Sequence, residues 1–552
     1  MSDQLVYQLS SRNDLMESVA SKRELVYITD QNNGSYSNSI TFESSAISNS
    51  GKFANWNESF IVIPYVVQFQ APADLNAEIN RFCLGMKAGW WHIIHAMSVD
   101  LNNINVCQLT SFLNIYSSYK CMTTWSYNDM FKLGESVGFW KDSVDSFRYS
   151  AAVSAYGQGS TNNTIQQVGG AAGGLQQLSI TGTGNWDAQV LTVFANEGLL
   201  KRCIANNYTV STDALAFLSL SEASQVGKCF HGRTAAAGIY YWRYNAVIRL
   251  KDISDLFDNK LPLLKGGVFR FTINFNTSNI TVTSGASPGG NLTPSNVVQT
   301  AGSTTPWMIT ATAINNPNNA LNARALPIQS GIASSIVGSQ GGSITSCRLY
   351  VPLYTLDPAY EEQLLSLNPE KTIQYKDLYQ YTLTGTAANS SFNALVTNGL
   401  AKPLTVIVVP FDSTGYGGLN SLTTPFSSTP ATTDPYMLVR NYNVSISGVP
   451  IYPQNVDFSF VEFSQEVAKI NAVNGGNITS GLTSGLISQH DYERGYCYLV
   501  SDVSRSYSSD DFVPKSVLIY GQNASNKPVT YYVFIEYMRT ITVNLASGNV
   551  RM

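Results

Sequence analysis

The chain has 552 residues, a formal net charge of −4 and only 13% charged residues. This length accommodates two large β domains of about 200–250 residues each, and the charge provides no basic field that would attract DNA, RNA or anionic lipid. A sequence-specific nucleic-acid reader is therefore disfavoured. Since soluble chains usually carry about 25% charged residues, we expect much of this surface to be uncharged or covered by other subunits.

The seven cysteines are widely spaced, and none of them forms a CxxC motif. This pattern predicts reduced, mostly buried thiols rather than a disulfide framework or a zinc site. The N-terminus has no apolar segment behind a basic start, and no stretch approaches ~20 uninterrupted apolar residues. We therefore expect a protein made without a secretory signal and without membrane insertion.

The first half of the chain is predicted to be an N-terminal arm, residues 1–35, followed by a β domain, residues 36–276. Phe60 to Phe69 is a short apolar run interrupted by Pro64. Proline lacks the N–H that a central strand donates, so an edge strand or a bend is expected there. Asn128 to Phe147 loses the two-residue period and predicts one or two short helical turns.

The clearest strand signal begins at Trp91, from which apolar and mostly polar residues alternate as far as Leu101. Asn102 to Asn105 predict a turn, and a second strand is expected from Val106 to about Lys120. His92 and His95 have the spacing of a helical metal site. On a strand this spacing sends the two rings to opposite faces, so the interpretation we favour is structural, with His95 a hydrogen-bonded core or interface residue.

The second half restarts in the manner of the first. Residues 277–343 are rich in Ser, Thr, Asn and Gly and predict a connecting loop region, and residues 344–552 predict a second β domain. Ser346 to Tyr354, with Pro352, echoes the strand around Pro64, which suggests a duplicated domain. Asp357-Pro358 predicts the start of a helix that turns Leu364 and Leu365 inward.

The sequence contains few motifs that could support catalysis. Gly285 to Gly289 matches the G-x-S-x-G elbow of serine hydrolases, but Pro288 has no N–H to offer an oxyanion hole. The neighbouring carboxylates Glu361-Glu362 and Asp510-Asp511 are predicted to be solvated surface rather than an acid–base pair. We therefore predict no catalytic, cofactor-binding or metal-binding residues, and no enzyme activity.

Several segments of the first half also carry a family resemblance. NWNESFIVIP, LGMKAGWWHIIHAMSVDLNN, QLTSFLN, LGESVGF and LKDISDLFDNKLPLLKG resemble segments of the major capsid proteins of polinton-like viruses and virophages. The likeness covers residues 55 to 276 best. In the second half it rests on strand layout and on the segments FVPKSVLIYGQN and YYVFIEYMRTITVN.

The resemblance implies an all-β chain of two tandem eight-stranded jelly-roll barrels with long loops and a few short helices. It further implies a homotrimer that forms a pseudo-hexagonal capsomer of an icosahedral virion. Neighbouring capsomers and minor penton and cement proteins would be its partners. Residues 155–187, 277–343 and 412–434 would then be candidates for outer towers. The alternatives are a minor capsid or receptor-binding virion protein, and a β-sandwich carbohydrate-binding protein or glycosidase.

Overall fold

The computed structural model describes residues 20–32, 39–70, 82–87, 89–142, 144, 198, 201–205, 230–234, 239–276, 278–284, 292–299, 304–311, 320–327, 346–367, 369–413, 422–423, 437–470, 484–504 and 513–552. The predicted loop at 155–187, the 285–289 motif and the Asp510-Asp511 pair lie outside these residues, as does most of 412–434. Within the described ranges, no helix combines the length and the apolar character needed to cross a bilayer.

The first half of the chain is built from antiparallel strands. They are β1 (Ala20–Thr29), β2 (Ser39–Glu43), β3 (Phe53–Ala54), β4 (Phe60–Gln70), β5 (Phe82–Met86), β6 (Ile94–Leu101), β7 (Ile104–Thr110), β8 (Cys203–Ala205), β9 (Phe230–Thr234), β10 (Ile239–Arg249), β11 (Phe269–Phe275), β12 (Ser278–Ser284), β13 (Leu292–Gln299), β14 (Trp307–Ala311), β15 (Ala320–Pro327) and β16 (Arg348–Leu356).

Two sheets of this half enclose a core, and together they are called the first barrel. One sheet has the order β2-β11-β6-β7. In the other, β4 is paired with β10 on one side and with β15 and β16 on the other, and β1 pairs with β16. The inward side chains of β11 alternate with outward ones and are fully buried, and Trp56 lies against them with its ring centroid 4.4 Å from that of Phe269. Strict alternation is what a sheet with one covered face requires.

The second half forms the second barrel. Its strands are β17 (Glu370–Thr386), β18 (Ser391–Leu400), β19 (Pro403–Asp412), β20 (Val439–Ile446), β21 (Val449–Pro450), β22 (Leu499–Asp502), β23 (Lys515–Asn523) and β24 (Val529–Asn544), with a short β25 (Val550–Arg551) beside β24. The two sheets have the orders β17-β24-β19-β22 and β18-β23-β20-β21. The first of the eight strands lies beside the last, and the second beside the seventh, which is the jelly-roll arrangement. The predicted all-β, double jelly-roll fold class is confirmed.

Short helices fill the connections. They are α1 (Ser45–Ser48), α2 (Leu113–Thr124), α3 (Tyr127–Val137), α4 (Leu250–Ile253), α5 (Pro358–Leu367), α6 (Phe460–Ala468) and α7 (Gln489–Arg494), with 3-10 turns at Trp56–Glu58, Trp90–Ile93 and Asp255–Phe257. The predicted helix start at Asp357 is confirmed, because its Oδ1 accepts a hydrogen bond from the Ala359 N–H at 3.1 Å. Leu364 and Leu365 pack against the core, as expected.

The prediction of a strand from Val106 to about Lys120 is wrong beyond Thr110. β7 ends there, and α2 follows after Phe112, whose φ of 56° lies in the left-handed region. Every residue from Leu113 to Tyr119 is buried. A segment covered on all sides shows neither the strand period nor the helix period, so its sequence could not distinguish the two.

The echo between the segments around Pro64 and Pro352 does not mark equivalent strands. β16 lies beside β4 in the same sheet, with Arg348 opposite Val62. β4 is an interior strand rather than an edge strand. Its neighbour on one side changes from β16 at residues 60–62 to β15 at residues 65–70, so Pro64 falls where no partner strand needs its missing N–H.

Two further segments differ from expectation. The described parts of residues 277–343 include β12, β13, β14 and β15, which join sheets of the first half instead of forming only a loop. The predicted N-terminal arm contains β1, which pairs with β16 along its length. The Thr and Val residues of β12 favour strands and could have predicted this one, but the polar composition of the region led us to predict a loop. The bounds of the two domains remain predictions.

Candidate functional site: the junction between the two barrels

The two barrels meet along α2. Ten of its twelve residues are buried, so other parts of the protein cover the helix on nearly every side. One side packs on β6 of the first barrel. On the other side the Tyr116 ring centroid lies 5.9 Å from that of Phe534, and the Tyr119 ring centroid lies 5.4 Å from that of Tyr498. α2 is therefore the shared core element of the junction.

An ion pair links β17 and β24 to the neighbouring β7. Arg539 Nη1 lies 2.8 Å from Asp377 Oδ2 and also donates to the Val106 carbonyl at 3.3 Å. The same carboxylate oxygen accepts from the Tyr537 hydroxyl at 3.0 Å and from the Gln108 N–H at 3.3 Å. Each charge is thus hydrogen-bonded as well as paired, which is the condition under which a buried ion pair is tolerated.

A second buried charge cluster lies beside α2. Glu536 accepts a hydrogen bond from the Tyr116 hydroxyl at 2.6 Å and pairs with Lys376 Nζ at 3.2 Å. Asp255 Oδ2 accepts the Lys376 backbone N–H at 2.9 Å. Burial would raise the pKa of Glu536, but Lys376 and the Tyr116 hydroxyl outweigh it and the pKa lies below its usual value. Glu536 raises the pKa of Lys376, so both groups are charged at neutral pH.

The far end of α2 is held by a loop of the second barrel. The Met122 carbonyl accepts from the Leu486 N–H at 2.8 Å. Lys141 Nζ lies 2.5 Å from Asp491 Oδ2 and 3.0 Å from the Leu486 carbonyl. Asp491 also caps α7 through Ser488. Contacts between the barrels therefore continue along the whole length of α2.

The two barrels also touch backbone to backbone near the C-terminus. The Leu545 carbonyl accepts from the Lys265 N–H at 2.9 Å. Gly548 has a φ of +67°, and a Cβ there would lie 2.7 Å from the Gly266 oxygen and from the Gly267 nitrogen. Only glycine allows this approach.

A small cavity lies at the junction. Its lining includes Cys107, Ser254, Lys376 and Asp377. Its volume of about 20 Å³ has room for one water molecule and not for a substrate. No group of three or more His, Cys, Asp or Glu side chains able to hold a metal ion occurs among the residues that the structure describes.

The two histidines of the metal-like spacing contact different residues. His92 is in the Trp90–Ile93 turn rather than on a strand, and it is fully buried. His95 lies on β6, with its ring against Phe112. The hydrogen-bonded member of the pair is His92 and not His95, since His95 Nδ1 has no hydrogen-bond partner.

The other residues singled out in the sequence are also structural. Glu361 pairs with Lys265, and Glu361 and Glu362 lie on α5 without a shared site. Four cysteines have described surroundings, and all four are buried thiols: Cys107, Cys121, Cys347 and Cys497. Burial and the nearby Asp377 raise the pKa of the Cys107 thiol, which keeps it protonated and unreactive.

Sequence reasoning missed the junction, although one signal pointed to it. Along β24 the residues from Tyr531 to Glu536 are all buried, without the alternation expected of a sheet with one open face. A continuous buried run indicates a strand covered on both sides. The partner that covers it is more than 400 residues away in sequence, as for Tyr116 and Glu536.

Two outward sheet faces carry exposed apolar groups. On the first barrel, Tyr27, Tyr350 and Phe60 share one face, with Tyr350 stacked on Phe60 at 5.0 Å and Leu25 56% exposed beside them. We call this surface the aromatic face. On the second barrel, Leu395 is 51% exposed and lies opposite Leu518, which forms the leucine face. Both faces are candidates for protein contact.

Comparison with known proteins finds similarity only at the level of solved structures. No protein-family model and no curated protein matches the chain. The mavirus major capsid protein has 10% identity and a TM-score of 0.38, with 96% of this chain and 89% of that chain covered. The Faustovirus major capsid protein has 10% identity and a TM-score of 0.44, with 97% and 92% covered. A PBCV-1 virus capsid structure has 8% identity and a TM-score of 0.38, with 96% of each covered. Each of these three solved structures is similar to this chain along nearly its whole length.

Proposed function

We propose that the protein is the major capsid protein of a double-stranded DNA virus, and that three chains form a pseudo-hexagonal capsomer of an icosahedral shell. The observation that carries the proposal is the junction, where α2 and two buried ion pairs join two barrels of one chain into a single body. Three such bodies around an axis present six barrels. The motifs of the first half that resemble polinton-like virus and virophage capsid proteins support the same function.

Closure of a three-membered ring requires two different faces on each chain, because a ring forms through head-to-tail contacts. The aromatic face and the leucine face meet this requirement, since they lie on different barrels. Tyr27 is also covered by the Arg348 guanidinium at 4.4 Å. Tyrosine and arginine are enriched where proteins bind one another, whereas lysine and glutamate are depleted. We propose that the aromatic face of one copy packs on the leucine face of the next.

The remaining partners follow from this role. The capsomer would contact neighbouring capsomers and minor penton and cement proteins at its outer edges. The protein would be located in the virion after synthesis in the host cell. Its function would be mechanical, with no cofactor.

The solution mass of the purified chain tests the proposal. We expect a stable species of about three times the 60.2 kDa chain mass by light scattering on a size-exclusion column. A monomer that persists at high concentration would contradict the capsomer assignment. A trimer that fails to form shells when mixed with the other virion proteins would favour the minor-protein alternative.

The role of the aromatic face is tested by introducing a charged residue into it. Tyr27→Asp places a carboxylate in the aromatic face, and we expect trimers to dissociate, because the apolar ring is lost from the contact and the new charge must be desolvated there even with Arg348 beside it. The matched control is Tyr127→Asp on α3, since Tyr127 is 51% exposed and Tyr27 is 47% exposed. The control is expected to remain trimeric. Equal loss of trimer in both variants, or none in Tyr27→Asp, would rule out the aromatic face.

A further inference from the structure

Two of the four histidines of the chain hold the first-barrel side of α2. The Nε2 atom of His92 lies 3.0 Å from the Ser118 hydroxyl, and its Nδ1 lies 3.4 Å from the Asn114 amide nitrogen. Asn114 and Ser118 are both α2 residues, one turn apart. The His92 carbonyl accepts the Asn276 side-chain amide at 3.0 Å, which anchors the turn to the end of β11. His92 therefore connects α2 to the first barrel.

His95 contacts the start of the same helix. Its ring lies edge-on to Phe112, with the centroids 5.0 Å apart. Phe112 in turn lies edge-on to Tyr532 of the second barrel at 4.6 Å. Burial raises the pKa of Tyr532 to about 12, so this neighbour stays neutral in acid. Phe112 thus lies between His95 and the second barrel and contacts both.

The surroundings of His92 oppose a positive charge. Burial lowers its pKa, and the cations Lys87 and Arg202 lower it further. Arg202 pairs with Asp142, while α2 and β11 face the ring with the uncharged Asn114, Ser118 and Asn276. Burial also lowers the pKa of His95. Neither ring has a carboxylate contact among the described residues.

We propose that His92 and His95 make the barrel junction acid-sensitive, so that their protonation releases α2 from the first barrel and thereby loosens the contact between the two barrels. The Asn114 amide nitrogen can only donate, so the neutral His92 ring accepts at Nδ1 and donates its Nε2–H to the Ser118 hydroxyl. Protonation at Nδ1 therefore breaks the hydrogen bond from Asn114. It also places a third cation beside Lys87 and Arg202. The particle would then have a built-in weakness in acidic compartments, independent of how the capsomers contact one another.

The direction in which stability changes with pH follows from proton binding. In the unfolded chain both histidines titrate near pH 6.5, and in the folded chain their pKa values lie lower. Below about pH 6.5 the unfolded or opened state binds more protons than the folded state, so stability is full above this pH and falls as the pH decreases. Each histidine lowers the ratio of closed to open junction by up to about tenfold per pH unit.

Hydrogen–deuterium exchange of the full-length protein at pH 7.5 and pH 5.0 tests the proposal. After correction for the intrinsic exchange rates, we expect the protection of α2 to fall at least about tenfold at pH 5.0, with β19 in the second barrel much less affected. His92→Gln and His95→Gln together remove both titrating groups and should flatten this response, even if the variant is less stable at every pH.

His490→Gln provides the control, because His490 is exposed on α7. It should retain the full acid response of the natural chain. If the double variant does not fold, the exchange measurement on the natural chain still tests the proposal. Equal α2 protection at both pH values would overturn it. A double variant that folds and keeps the natural acid response would overturn it as well.

Discussion

Lys376→Met is expected to lower the free energy of unfolding by about 3–5 kcal/mol. Glu536 is buried, and Lys376 is its cationic partner at 3.2 Å. Removal of the lysine leaves a carboxylate that has lost its solvation and its counter-charge, which is far more costly than the net value of the pair. Urea unfolding at neutral pH, followed by tyrosine and tryptophan fluorescence, measures the difference.

The double variant Lys376→Met/Glu536→Gln separates charge from packing. Glutamine keeps an oxygen for the Tyr116 hydroxyl and removes the unpaired charge, so most of the lost stability should return. The loss in the single variant should also shrink as the pH falls, because burial without the lysine raises the pKa of Glu536 and favours its uncharged form. A single variant within about 1 kcal/mol of the natural chain would show that Lys376 does not support the junction.

Gly548→Ala is expected to be the second most damaging single change. The left-handed backbone alone costs about 1–2 kcal/mol for alanine, and the new Cβ would also collide with the backbone of Gly266 and Gly267. These backbone atoms of the first barrel cannot move aside as a flexible side chain can, so we expect about 1–3 kcal/mol more. Thermal unfolding of the purified variant measures the total.

Gly385→Ala is the matched control for this prediction. Gly385 has a φ of +70°, and a Cβ there would meet no atom within 4 Å. It should therefore show the backbone cost without the collision. If both variants lose the same stability, the close approach between the barrels does not contribute to the fold.

The fold class was predictable because alternation survives wherever one face of a strand is covered and the other is open. β11 and, beyond Met97, β6 show this pattern, and the alternation that ends at Leu101 predicted β6. α2 was not predictable, because a segment buried on every side carries no period. The same explanation applies to the middle of β24, whose two faces are both covered.

The junction was beyond sequence reasoning for a different reason. A pattern of polar and apolar residues states which face of a strand is buried, but not which distant segment covers it. Asp377 and Arg539 are separated by 162 residues, and Tyr116 and Glu536 by 420. In the sequence nothing marks these residues as partners of one another. Only the folded chain shows them as pairs.

The position of β16 bears on how the chain folds during synthesis. Residues 348–356 lie between β1 and β4 in the first barrel, yet they lead directly into α5 and the second barrel. Domains usually fold as units in the order in which they leave the ribosome. Here the N-terminal unit cannot complete its sheet until residue 356 has emerged, when synthesis of the second barrel is about to begin. The position between β1 and β4 in the nascent first barrel therefore stays unfilled until then. The topology of the fold thus determines for how long a chaperone could bind there during translation.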